Sequence, residues 1–192
     1  MKECNKVKKF FSQPAKAFDA EKKTDMGAAF KYMLLLSLIV SILTAIVSAI
    51  FPTGISLFGP GVDVVIIFVT TYITLIIFQI IWSVWLHVWT YVFGGRKGIV
   101  QTFKSVFYGT TPTYVLGWIP IINVIMMIWS VVLTGIGLTR LHGMTGGRAA
   151  GAIIVAIIIP VIIIGAIVGM AFLYIISGIN AGTITPPAGL PF

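Results

Sequence analysis

Apolar runs alternate with short turns along this chain, and five of them are of membrane-crossing length. The first covers residues 30–51, where 22 residues at about 1.5 Å each reach roughly 33 Å. The second covers 62–93 and, at roughly 48 Å if helical throughout, exceeds a bilayer core, so it must tilt or project. Trp82, Trp85 and Trp89 near its far end suit an interfacial aromatic belt. The third, 99–117, begins one-sided, with Val100, Phe103 and Phe107 opposite Gln101, Lys104 and Ser105, and then turns apolar. The fourth covers 121–139 and the fifth 149–177, the latter with Pro160 inside it and a Gly165/Gly169 small-residue pair expected to contact a neighbouring helix. This pattern predicts an all-α fold, a polytopic membrane helix bundle of five transmembrane helices.

Residues 1–29 follow a different rule. Val7, Phe10, Phe11 and Phe18 fall on one helical stripe among lysines, which reads as a basic amphipathic N-terminal segment lying at an anionic membrane surface. Pro14 interrupts the stripe, and Ser12 is placed to cap a second short helix. Thr24 or Asp25 caps the first span. Within that span Ser37, Ser41, Ala45 and Ala49 recur every fourth residue, a small-residue stripe that admits a neighbouring helix. Pro112 frees a carbonyl one turn earlier, and Thr110, Thr111 and Thr113 stand ready to satisfy polar groups in lipid. Residues 52–61 read as a short uncharged turn and 178–192 as a loosely ordered tail.

Composition sharpens the membrane reading. Of 192 residues 58% are hydrophobic and only 9% charged, far from the usual soluble balance. The basic residues flank the spans and form no folded basic face, which excludes nucleic acid as a partner. Eight lysines up to Lys31, then Arg96, Lys97 and Lys104, then Arg140 and Arg148 account for all 13 Lys and Arg. The turns after spans one and three and the tail have none. The positive-inside rule therefore places the N-terminus in the cytoplasm and the tail outside the cell membrane. It also favours a crossing third span over a hairpin that re-emerges on its own side.

Candidate chemistry is sparse. The one acid beyond the N-terminal region is Asp63, read as a helix cap or interfacial residue, and His87 lies too far along the same helix to pair with it. Two histidines and one cysteine, Cys4, are too few for the usual zinc sites, and no phosphate loop or catalytic triad is visible. Neither an enzyme nor a cofactor site is expected. The candidate lipid or partner contacts are Arg96, Lys97, Lys104, Arg140, His142 and Arg148, because basic turns attract phospholipid headgroups or acidic partners. Gln79, His87, Thr111 and Asn123 are the candidate polar contacts between helices.

FFSQPAKAF before the first span, then TFKSVFYGTTP, the WIP turn, IWSVVLTGIGL and LHGMTGGRAA, resemble the Yip domain family, the Ypt/Rab-interacting integral membrane proteins. The resemblance implies a five-span bundle with a cytoplasmic N-terminus and, in eukaryotes, binding of prenylated Rab-type GTPases in vesicle traffic. Two departures stand against GTPase binding here: the family's long cytoplasmic N-terminal region is lacking, and GPGVDVV does not reproduce its Asp-Leu-Tyr-Gly-Pro motif. They point to a compact prokaryotic member. The expected function is a non-enzymatic scaffold that engages membrane lipids, protein partners or further copies of itself. The alternative is a small transporter or channel subunit with a polar cavity between broken helices.

Overall fold

A computed structural model describes residues 2–51 and 59–180, and within them the chain is helical with no strand. The expected turn at Pro52 and Gly54 and most of the expected tail, 181–192, lie outside the described residues. The helices are α1 (Lys2–Ser12), α2 (Pro14–Ala20), α3 (Met26–Ile50), α4 (Pro60–Val92), α5 (Ile99–Gly109), α6 (Thr111–Leu116), α7 (Ile122–His142) and α8 (Gly146–Asn180). The fold is a helical membrane bundle. Four helices, α3, α4, α7 and α8, are long and apolar enough to cross a membrane.

The expected third span is present in two pieces. α5 and α6 have eleven and six residues, each short of an about 30 Å hydrocarbon core. The chain breaks at Thr110, with ψ near 1°, because Pro112 offers no N–H to continue the helix. Tyr108 O is the carbonyl so freed, and the Thr111 hydroxyl donates to it at 2.6 Å. α5 is also well enclosed: seven of its eleven residues are buried, and it packs against α3, α4 and α7.

Two compact units divide the chain at Ile153 and Ile154. The first contains α1 to α7 and the first turns of α8. Asp25 caps α3, its Oδ1 accepting from Ala28 N at 3.3 Å. Ser37, Ser41 and Ala45 are buried along one face of α3, whereas Ala49 is exposed. Gly109 and Gly137 let helices meet closely: a Cβ at Gly109 would lie 2.8 Å from Thr134 N, and one at Gly137 would lie 2.9 Å from both the Phe18 ring and Ser105 Cβ. α7 ends on Gly143 at φ 73°, a left-handed cap that only glycine adopts freely.

The N-terminal segment packs onto the rest of the first unit. Pro14 does open α2, but Ser12 does not cap it; Ser12 Oγ donates back to Lys8 O within α1. Half of the apolar stripe is used internally, while Val7 and Phe11 stay partly exposed. Phe10 and Phe18 are fully buried and meet edge to face at 5.0 Å, and Phe10 stacks on Tyr108 at 5.2 Å. In the second unit, residues 154–180 continue α8 with Pro160 inside the helix. Within this unit no side chain comes within 4 Å of a Cβ at Gly165 or Gly169. Val161, Ile162, Ile163 and Ile164 are all more than half exposed, the state a lipid-solvated helix adopts.

Candidate functional site

The polar residues of the first unit gather in two clusters. The first holds the N-terminal segment. Glu21 follows α2, and its Oε2 accepts from Tyr108 Oη at 2.8 Å while its Oε1 lies 3.1 Å from Lys6 Nζ. Burial pushes the Glu21 carboxyl up, but hydrogen bonds from Tyr108, Thr24 and Lys6 outweigh it, so its pKa falls below the usual 4.5. Nearby, the hydrogen bond from Lys22 holds Asp19 below its ordinary value, and Arg140, 3.6 Å away, adds to the effect.

Lys104 belongs to this cluster and not to the surface. The structure corrects its assignment as a lipid or partner contact, because the residue is only 1% exposed. Its Nζ donates to Lys22 O at 3.0 Å and to Thr24 O at 2.8 Å. Those carbonyls belong to the non-helical link between α2 and α3, and an ammonium in reach of both compensates its own burial. Tyr32 Oη and Thr111 Oγ1 are 3.0 Å apart, which ties α3 to the α5–α6 break.

The second cluster is a seam through α4, α5 and α7. Thr102 Oγ1 lies 2.8 Å from His87 Nδ1 and 2.9 Å from His142 Nε2. A hydroxyl has a single proton to donate, so with both contacts made one imidazole accepts and the other donates. His142 is thus a buried seam residue, 5% exposed, and its assignment as a surface contact is corrected as well. Gln79 Nε2 donates to Thr110 Oγ1 at 2.7 Å. Thr113 pairs with Ser130 Oγ at 2.8 Å and donates to Met126 O at 3.1 Å. Asn123, in the first turn of α7, donates from Nδ2 to the O of Gly117, the C-cap of α6, at 2.6 Å.

The remaining basic candidates, Arg96, Lys97, Arg140 and Arg148, are exposed, and Lys97 and Arg148 each reach across to the opposite turn. Lys97 Nζ lies 3.2 Å from where a side chain at Gly143 would begin, and Arg148 Nη1 lies 3.5 Å from the corresponding point at Gly94. The α4–α5 and α7–α8 turns therefore face each other. Arg96 sits over the Tyr91 ring at 3.7 Å, a cation–π contact. Arg140 reaches Asp19 beside Lys22. Among the described residues no group of three or more His, Cys, Asp or Glu side chains is placed to hold a metal ion.

Sequence reading missed Lys6, Glu21, Tyr32, Thr102 and Tyr108. Tyr32 and Tyr108 lie in apolar runs, where a tyrosine looks like any other lipid-compatible residue, and Glu21 is one of four acids in a lysine-rich segment. Their contacts join positions 79 to 87 residues apart, a separation no local pattern encodes.

No curated protein and no solved structure matches the chain significantly. The sequence profile of the Yip1 domain does match, over residues 8–170. That match takes in α1 from Lys8, the polar clusters apart from Lys6, both basic turns and most of α8. With a helical bundle of apolar spans beneath the match, the chain is an integral membrane protein and belongs to the Yip1 domain family.

Proposed function

We propose that the protein is a non-enzymatic membrane scaffold whose basic turns engage the phosphates of anionic lipid headgroups. Its N-terminus and the α4–α5 and α7–α8 turns are cytoplasmic, and its C-terminus is outside. The reach of Lys97 across to Gly143 and of Arg148 across to Gly94, which sets two basic turns against each other, supports this reading. Cations on two facing turns raise the local potential beyond what either turn offers alone, and each basic residue near an anionic surface contributes about 1 kcal/mol. Exposed Lys8, Lys9, Lys16, Lys23 and Lys31 on the N-terminal side add to the same electrostatics.

The transporter alternative is less well supported. A polar passage needs groups that face water, yet Gln79, Thr110, Thr111 and Thr113 direct hydrogen bonds at one another or at neighbouring helices. They act as packing contacts of the kind that hold helices together in lipid.

The test is native mass spectrometry of the full chain extracted from membranes that contain phosphatidylglycerol and phosphatidylethanolamine. Wild type is expected to retain phosphatidylglycerol, and the Lys97→Glu/Arg148→Glu variant to retain less than half as much. Equal retention by a correctly inserted variant defeats the proposal. Flux of small solutes in proteoliposomes would instead favour the transporter.

A further inference from the structure

Lys6 is held in this structure as a ligand is held. Its Nζ lies 5.3 Å from the centroid of the Tyr32 ring, 5.4 Å from that of Tyr108 and 3.1 Å from Glu21 Oε1. The two tyrosine rings are 5.1 Å apart and inclined at 52°, so they form adjacent walls around the charge. Phe10 stacks on Tyr108 and fixes its plane. The Tyr108 hydroxyl donates to Glu21 Oε2, which leaves Oε1 to meet the ammonium. Aromatic faces with a carboxylate beside them are the groups by which proteins recognise substituted ammonium ions.

The walls and the occupant have different origins. Tyr32, Tyr108 and Glu21 are 3%, 0% and 8% exposed and are anchored in α3, in α5 and at the end of α2. Lys6 arrives on α1, and its side chain is 23% exposed. Beside it a cavity of about 140 Å³, bordered by Asn5, Lys9, Ala17 and Ala20, reaches Glu21. A small cation thus has a route to the carboxylate that requires no movement of α3 or α5.

We propose that Tyr32, Tyr108 and Glu21 form a recognition site for a small alkylammonium group, and that Lys6 is its built-in competitor. The ligand class is a primary or quaternary amine, supplied either as a free amine or as the headgroup of a zwitterionic lipid. Such a group replaces the Lys6 ammonium over the tyrosines and takes over its contact with Glu21. This inference does not depend on the basic turns.

The experiment uses the full chain in a non-ionic, amine-free detergent. Tetramethylammonium chloride is titrated against sodium chloride of equal ionic strength, with tyrosine fluorescence and thermal unfolding as readouts. Lys6→Ala is expected to bind tetramethylammonium about tenfold more tightly than wild type, and adding Glu21→Gln is expected to remove the gain. The proposal is overturned if Lys6→Ala binds no better than wild type, or if its binding is indifferent to Glu21→Gln. Should Lys6→Ala fail to fold, Lys6→Gln keeps the start of the aliphatic stem without the charge and supplies the same comparison. Nanodiscs then separate the sources. Phosphatidylethanolamine retained over phosphatidylglycerol by the Lys6 variant identifies a headgroup, binding of free ethanolamine alone identifies a soluble amine, and the absence of both overturns the site.

Discussion

Lys104 shows how one side chain governs the entry of the chain into the membrane domain. Its two bonds to Lys22 O and Thr24 O satisfy carbonyls that no helix uses, and bonds to a charged donor contribute about 1.5–3 kcal/mol each against an unmade alternative. Lys104→Met is expected to lower stability by about 2–3 kcal/mol and to expose the Lys22–Lys23 link to trypsin, which timed proteolysis would detect. Glu21 gives the same segment a pH dependence. Its carboxyl titrates below the ordinary 4.5 in the folded chain, so its contribution is fully present above 4.5 and is lost as the pH falls through the depressed folded value. Hydrogen exchange of α1 is therefore expected to accelerate as the pH is taken down through this range, after correction for intrinsic rates, and Glu21→Gln is expected to flatten that response. Of these two residues the sequence showed Lys104 only as a basic residue on a polar face. That face turns inward because the α2–α3 link supplies acceptors there, a fact about tertiary contact that helical periodicity does not carry.

At the scale of elements, the break between α5 and α6 is where sequence and structure agree most closely. The proline at 112 and its flanking threonines predicted a freed carbonyl and a hydroxyl to satisfy it, and Thr111 Oγ1 supplies that bond to Tyr108 O while also meeting Tyr32 Oη. Thr111→Val keeps the shape and removes both contacts. It is expected to cost about 2 kcal/mol, read as a fall in thermal midpoint, with Thr111→Ser restoring most of it. Close helix approach offers a second check on packing. Gly109→Ala forces a Cβ against the backbone of Thr134 on α7, and overpacking of this kind costs about 1–3 kcal/mol. Gly165→Ala meets no side chain of its own unit and is expected to leave the thermal midpoint unchanged or to raise it slightly, since alanine is the better helix former. The α5–α6 pair was legible as interrupted because proline acts locally. That α5 would be the most enclosed helix was not, since lipid and protein interior are equally apolar solvents for its side chains.

For the whole molecule, the exposed Cys4 is the only thiol and reports orientation directly. If the N-terminus is cytoplasmic, a membrane-impermeant maleimide applied to intact cells is expected to leave Cys4 unlabelled until the membrane is permeabilised; prompt labelling of intact cells would reverse the assigned topology. The sequence by itself determined that the chain is a helical membrane bundle with several apolar helices and which family it resembles. These properties rest on hydropathy, helix-breaking residues and charge, each a matter of near neighbours in the chain. Tertiary structure decided which polar residues meet: Lys6 with Tyr32, Tyr108 and Glu21, Lys104 with the α2–α3 link, and His87 with His142 across Thr102. In a membrane every apolar helix face is already solvated by lipid, so hydrophobicity alone does not say which face packs against which. That choice falls to small residues that let backbones approach and to hydrogen bonds between distant positions, and these take shape only when the helices are assembled.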